Sequence, residues 1–491
     1  MTQTDGQAAI RGLDRDLRGQ LPGHTLITDP AQRETYACDG LAAYRVRPAL
    51  VVLVESAEQV AQVVRACARH GVPFVARGSG TGLSGGALPH ADGVLIVTSR
   101  LRTLHEVRPE DQRAVADPGV INLAVSKAAN PLGYYFAPDP SSQQICSIGG
   151  NVAENSGGAH CLKYGFTAGH VLSLDVVTPD GEQITLGTEA PDAPGYDLLG
   201  AFVGSEGTLG IATRATLRLT RLPQDVHTCL AGFGSTDDAG AATSAIIAAG
   251  IVPAAIEIMD ALAIEAAEAA VSCGYPEGAG AVLVVELDGP AVEVADELER
   301  VEQICRDQGA FEFRAATDAA ERAEIWKGRK SAFAAVGRIS PDYIVQDGVV
   351  PRTSLPEVLR EMGRISAERG VRVANVFHAG DGNLHPLVLF DAAQEGATER
   401  AEEVSGMILD LCIEHGGSIT GEHGVGADKA RYMPRMFGPD DLDTMQLVRC
   451  AFDPAGLANP GKIYPTPRMC GERPRIVHAA DEPVLEQAEV F

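Results

Sequence analysis

The stretch Val376-Phe377-His378-Ala379-Gly380-Asp381-Gly382-Asn383-Leu384-His385 sets two of the chain's twelve histidines at the ends of a glycine-rich turn. Imidazole either exchanges a proton near neutral pH or ligates a divalent metal. Residues 371–377 and 384–390 both read as strands, and Asp381-Gly382 marks a hairpin between them. Residues that face each other across paired strands have Cβ atoms about 4.5–5.5 Å apart, so His378 and His385, flanking a six-residue connection, could reach one ion. Two histidines at a turn are also what turn-capping or exposed residues look like, and a third ligand has to decide. Gly421-Glu422-His423-Gly424 offers one, in a glycine-flanked segment with little reason to hold adjacent titratable residues unless they work. Two imidazoles and one carboxylate leave positions on a divalent ion open, as a catalytic rather than a structural site requires.

A second kind of chemistry lies in the glycine loops. Arg77-Gly78-Ser79-Gly80-Thr81-Gly82-Leu83-Ser84-Gly85-Gly86 contains GxGxxG at Gly80, Gly82 and Gly85. A Rossmann fingerprint must open a helix, yet Ala87-Leu88-Pro89-His90 and another strand follow. The loop reads instead as bare backbone amides forming an anion-binding concavity, or as a flexible turn. Two further stretches favour the former. Residues 137–142 (APDPSS) lead into the glycine-rich run 148–158, and Gly204-Ser205-Glu206-Gly207-Thr208-Leu209-Gly210-Ile211 follows. Three such loops beside apolar strands suit a long ligand such as a dinucleotide.

These residues need elements to position them. A strand from Leu50 runs into Ser56-Ala57-Glu58-Gln59, spaced as a capping box. Val60, Val63, Val64 and Cys67 recur at helical spacing, Gly71 suits a C-cap, and the strand VPFVAR completes a strand-helix-strand unit. Further strands over 94–98, 114–116, 172–178 and 213–219 continue an α/β domain to about Arg221. Beyond it, alanine-rich helices (239–249, 261–271) and amphipathic ones (294–305, 355–362) alternate with strands such as 281–287. The expected organisation is α+β, with an N-terminal segment and α/β domain over 1–221, a second domain over 222–415, and a loop-rich C-terminal segment over 416–491. The last twenty residues read as a loose tail.

Composition limits the function. The chain of 491 residues, 45% apolar, can bury several cores, and its formal net charge of −26 disfavours nucleic acid and anionic lipid. No apolar run approaches the roughly 20 residues that span a bilayer, and the N-terminus lacks a signal-peptide apolar core, so a cytoplasmic protein without direct membrane insertion is expected. The ten cysteines include no CxxC pair or cluster-binding set, which makes most of them reduced fillers and places any one-electron relay in another polypeptide.

Taken in order, RGSGTGLSGG, PDPSS, CSIGGNVAENSGG, CLKYG, GSEGTLGI, HAGDGNLHP, GEHGVG and NPGK resemble the FAD-linked 2-hydroxyacid oxidoreductases of the vanillyl-alcohol-oxidase type. Residues 337–343 and ANVFHAGDGN point within them to the bacterial glycolate oxidase (glycolate dehydrogenase) branch of FAD-bearing large subunits. The resemblance covers about Tyr36 to Pro465. It implies a two-lobed FAD domain of the vanillyl-alcohol-oxidase (PCMH) type, an α+β cap domain, and a C-terminal segment returning to the FAD domain. By position it assigns Gly78, Ser79, Gly80, Thr81 and Gly82 to the pyrophosphate, and Pro138, Asp139, Ser142, Gly149, Gly150, Asn155, Gly158 and Ile211 to the rest of FAD, with Asn459 near the ring. Thr81 stands about where relatives that bond FAD covalently place a histidine, which implies non-covalent FAD.

The same resemblance makes His378, His385 and Glu422 ligands of a divalent metal, zinc first and manganese or iron also suited. His423 becomes the base, and Arg329 a two-pronged clamp on the substrate carboxylate. From sequence alone an exposed helix charge is an equal reading of Arg329, and packing is the better reading of Trp326, the sole tryptophan. Oxidation of R-CH(OH)-COO⁻ then needs a proton taken from oxygen by His423 and a hydride passed to flavin N5. Val345-Gln346-Asp347-Gly348 lacks the lysine that hydroxyglutarate-oxidising relatives place before the aspartate, and Leu387 replaces a polar residue. Both departures point to a small monocarboxylate such as glycolate or D-lactate. The implied partners are a second flavin-type subunit and an iron-sulfur subunit, with electrons leaving to them or to quinone and peripheral membrane association through them. The competing readings are a D-2-hydroxyacid dehydrogenase acting alone and a non-catalytic flavin-binding scaffold.

Overall fold

The computed structural model describes residues 3–190, 194–465 and 489–490; the tail expected over the last twenty residues otherwise lies outside them. The chain forms two compact units. Unit one takes the residues up to Ser156, Phe166–Leu222 and the chain from Glu422 onward; unit two takes Gly157–Gly165 and Pro223–Gly421.

In unit one the expected strand-helix-strand is Leu50–Leu53, Ala57–His70 and Phe74–Arg77. Ser56 accepts from Gln59 N at its start, and Gly71 ends it in the left-handed region at φ 62°. Both strands run parallel to Val94–Val97 between them, and Val60, Val63, Val64 and Cys67 bury one helix face in the core beneath. The free edge of Phe74 is covered by the returning C-terminal segment: Phe74 N donates to Leu457 O and Asn459 N to Phe74 O. A second sheet of five antiparallel strands runs in the order Gln183–Gly187, Val171–Val177, Ile211–Arg218, Arg113–Ala116, Leu104–Arg108. The glycine-rich run at 148–158, expected as a loop, opens with the short helix Ile148–Glu154. Ile148, Asn151 and Val152 are buried at helical spacing, and Asn155 stops the helix at φ 52°.

Unit two is built on one antiparallel sheet. Its order is Glu312–Ala315, Asp225–Phe233, Ala281–Gly289, Ala255–Asp260, Val373–His378, Asn383–Phe390, Asp342–Val345. Side chains alternate between two faces with period two. Ile256, Ile258, Leu283, Val285, Phe377 and Leu384 join one core, with helices Thr236–Ala248, Ala291–Asp307, Leu355–Arg369 and Ala397–Glu414. Ala255, Met259, Val282, Val284, Val376 and Leu387 join the other, under helices Ala261–Val271 and Ala319–Val336. The alternation puts Glu257, Glu286, His378 and His385 on this second face. Buried charge therefore interrupts the apolar packing of this second face. Among the described residues, no helix is long and apolar enough to cross a membrane. Among the described residues eight cysteines are free thiols, seven of them buried, and Cys450 is disulfide-bonded.

Candidate functional site

Unit one contains a cleft with about 1230 Å³ of empty space, counted out to where it opens to solvent. Its wall is made by the three glycine loops: Gly78, Ser79, Gly80, Thr81 and Gly82 from the first, Ser142, Gly149 and Gly150 from the second, Ile211 from the third. Among the described residues no lysine or arginine lines it, so an anion there must be held by amides and hydroxyls, as oriented backbone N–H groups do. The loops approach too closely for side chains. A Cβ on Gly78 would overlap Ser147 Oγ, and one on Gly149 would lie 2.7 Å from Pro118 Cβ. Ser147 Oγ is buried on this wall with no hydrogen-bond partner among the described residues, an orphan that a ligand oxygen would satisfy. Donor set and close approach both fit a dinucleotide.

The remaining cofactor positions expected from sequence lie off this wall. Pro138 O accepts from Asn122 Nδ2, and Asn155 Oδ1 accepts from Ala168 N. Asp139 follows Pro138 in the same loop, and Gly158 belongs to unit two. Asn459, buried at φ 43°, donates from Nδ2 to the carbonyls of Gly86 and Glu206, both on the wall. It braces the cleft from behind.

Glu422 and His423 line the same cleft, with His423 Nε2 3.7 Å from Glu422 Oε1. The loop that carries them is pinned by Glu206, whose two carboxylate oxygens accept from Val425 N and Gly426 N at 2.7 Å each. Ala427 N and Asp428 N donate to Ser84 O in the first glycine loop. This explains GEHGVG: a Cβ on Gly424 would overlap Glu154, and one on Gly426 would overlap the Ser84 carbonyl. Burial pushes the Glu206 carboxyl up to about 7 in spite of its two amide donors.

In unit two the hairpin is Val373–His378 and Asn383–Phe390, so the connection is four residues rather than six. His378 pairs with Asn383, and His385 with Val376. The histidines are thus diagonal neighbours on one face rather than directly opposed. Their rings still meet, with centroids 4.9 Å apart at 89°, both residues are buried, and each offers a ring nitrogen within 4.8 Å of the other's. The residue opposite His378 on its other side is Glu257. Its oxygens lie 2.8 and 3.0 Å from His378 Nδ1. Arg329 directs Nε (2.7 Å) and Nη2 (2.6 Å) to Glu257 Oε2 and is 4% exposed, so it is no solvated helix charge. Burial would raise the Glu257 carboxyl, but the interactions with Arg329 and His378 overcome it and hold it below the usual range.

Beside His385 lies a second buried carboxylate. Asp347 Oδ1 is 3.9 Å from His385 Nδ1, and its Oδ2 accepts from Thr420 Oγ1 and Gly421 N. Gly421 in turn sits so close to Asn383, the pairing partner of His378, that a Cβ would overlap its amide. Gly421 is therefore fixed beside the two histidines. Trp326 packs as expected: its ring stacks on His160 and its Nε1 donates to Glu286, while Lys330 lies over its face. Sequence reasoning missed Glu257, although a lone carboxylate within the apolar strand AIEIMD is a signal, because a buried charge needs a partner. Glu206 carried no comparable signal, since it lies in a polar, glycine-rich stretch.

Comparison with known proteins agrees with this construction. Residues 48–187 match the FAD binding domain family and residues 222–463 the C-terminal domain of FAD linked oxidases. Over 456 residues the chain is 52% identical to glycolate oxidase subunit GlcD of Escherichia coli (strain K12), covering 93% of this chain and 91% of that one. Over 426 residues it is 30% identical to the mitochondrial D-lactate dehydrogenase [cytochrome] of Arabidopsis thaliana, covering 86% and 74%. The fold matches substrate-bound p-cresol methylhydroxylase at a TM-score of 0.77 with 16% identity, over 94% of this chain and 97% of that one. The expected PCMH-type α+β architecture is therefore correct. The glycine-walled cleft and the matched sequence together place the chain among the FAD-linked oxidases, as an FAD-dependent oxidoreductase.

Proposed function

We propose that the protein oxidises a small 2-hydroxy acid, glycolate first and D-lactate as the alternative, to the 2-keto acid. The cofactors are FAD, held without a covalent bond, and a divalent ion held by His378, His385 and Glu422. The observation that carries this reading is the buried pair of histidine rings, together with the fixing of Gly421, the residue before Glu422, against Asn383 and Asp347. The relatives named for glycolate and D-lactate support the substrate class.

When bound, FAD supplies a two-electron acceptor and the ion a Lewis acid for the alcohol oxygen. The chain's own part is orientation and proton handling. His378 and His385 present ring nitrogens from a rigid sheet. The Glu206 carboxylate fixes the loop that carries Glu422 and His423 through two amide hydrogen bonds. His423, on the cleft wall, is the group to take the hydroxyl proton. The glycine loops hold the pyrophosphate by amides, with Thr81 in the first of them. Electrons leave to a second flavin-type subunit and an iron-sulfur subunit, or to quinone, because no cysteine cluster pattern occurs in this chain.

The purified protein is expected to be yellow, and anaerobic glycolate or D-lactate should bleach its flavin band. Chelation should abolish bleaching while leaving the flavin bound, and zinc, manganese or iron should restore it. A yellow protein that no 2-hydroxy acid bleaches, with or without added metal, would reduce this chain to a flavin-binding scaffold.

A further inference from the structure

We infer that Arg329 and Glu257 are positioning residues for the metal centre: Glu257 fixes which nitrogen of His378 faces the ion, and Arg329 fixes Glu257. The inference rests on the metal-site reading above and extends it to two residues behind the ligands.

Glu257 is fully buried, in the middle of strand Ala255–Asp260 and directly opposite His378. Both of its oxygens converge on His378 Nδ1, at 2.8 and 3.0 Å. A carboxylate only accepts, so Nδ1 must carry the proton, and the lone pair that a metal needs is left on Nε2. The bond also stops the ring from turning over. An ion-binding histidine backed in this way is both a better donor and a pre-aligned one.

A buried carboxylate needs its own compensation. Arg329 provides it from helix Ala319–Val336, with Nε and Nη2 converging on Glu257 Oε2. Two of the three guanidinium nitrogens are thus engaged by the residue that orients His378. Phe333, one helical turn further on, packs against both parts: the Arg329 guanidinium lies 5.9 Å from its ring and the His385 ring is also 5.9 Å away. The guanidinium therefore acts on the ion through Glu257 and His378.

The test uses full-length FAD-loaded protein, stripped of metal by a chelator and titrated with Zn²⁺ by calorimetry and with Co²⁺ by its visible absorption. Glu257→Gln and Arg329→Met are each expected to weaken Zn²⁺ binding by about tenfold to a hundredfold and to alter the Co²⁺ spectrum, with flavin content and melting of unit one unchanged. Arg329→Lys, which keeps the charge but not the planar contact, should recover part of the affinity and guards against a variant that simply fails to fold. Zn²⁺ binding within about twofold of wild type in Glu257→Gln, when His378→Ala has lost it, overturns the inference and leaves the metal site standing. Unchanged metal affinity with a raised KM in Arg329→Met overturns the arginine half and returns that residue to a substrate clamp. If His378→Ala itself binds Zn²⁺ like wild type, the metal-site reading falls and this inference with it.

Discussion

A carboxylate inside an apolar strand is costly to bury, and unit two buries three on one face, Glu257, Glu286 and Asp288. Their partners separate their roles. Glu286 takes hydrogen bonds from Thr228 Oγ1 and Trp326 Nε1 and contacts His160 at 3.1 Å. Burial would push its carboxyl up, but His160, Thr228 and Trp326 together bring it down to about 2 from the usual 4.5. Because the folded-state value lies below the unfolded one, this stabilisation is complete above pH 4.5 and is lost as the pH falls toward 2. The gap corresponds to about 3 kcal/mol. Glu286→Gln should therefore be less stable than wild type at pH 7, with the difference shrinking in urea unfolding series taken from pH 5 to pH 3. A difference that stays constant with pH would show that packing rather than charge is responsible. Glu257 has instead an arginine and an imidazole, the pattern of a residue that aims another. The sequence made the histidines and Glu422 visible because glycines isolate them, whereas the partner of a buried charge is visible only once strand order is known. His378 and Glu257 lie side by side with more than a hundred residues of chain between them.

Among the elements, the hairpin shows what periodicity resolves and what it leaves open. Both strands and the Asp381-Gly382 turn were legible, but the register was not, and the shorter connection moved His378 and His385 from facing to diagonal positions. The turn itself is tightly specified. Gly382 has φ 82°, its N–H donates to His378 O, its carbonyl accepts from Val350 N, and a Cβ would overlap the Val350 carbonyl. Gly382→Ala should cost about 1–2 kcal/mol for the left-handed backbone alone, and more through that overlap. Chemical denaturation of the apoprotein measures it, and the same variant should lose Zn²⁺ affinity because the strand ends that carry the histidines move apart. In the cleft, Gly149→Ala should lower the flavin content of the purified protein, since the added methyl meets Pro118. The short helix Ile148–Glu154 escaped periodicity because seven residues with two glycines carry too little pattern to separate helix from loop.

For the molecule as a whole, the decisive feature is that unit one is discontinuous. Its chain leaves at Leu222, runs through the whole of Pro223–Gly421, and re-enters at Glu422. The re-entering segment supplies Glu422 and His423 to the cleft wall, and Leu457 and Asn459 to the edge of Phe74. A protein truncated after Gly421 is therefore expected to emerge colourless and to aggregate, while addition of residues 422–465 as a separate chain should restore flavin binding if the interruption is purely topological. The sequence showed two changes of texture, near 222 and near 416, and the resemblance implied the return. Nothing in a linear pattern reveals which strand edge a returning segment will cover. This arrangement has a consequence for biosynthesis. A ribosome emits residue 74 long before residue 459, so the first sheet must wait with an open edge while some two hundred residues of the intervening unit are made. Flavin capture is for that reason expected only once residue 459 has been made, and cells short of the vitamin should accumulate a colourless chain that extends past that residue.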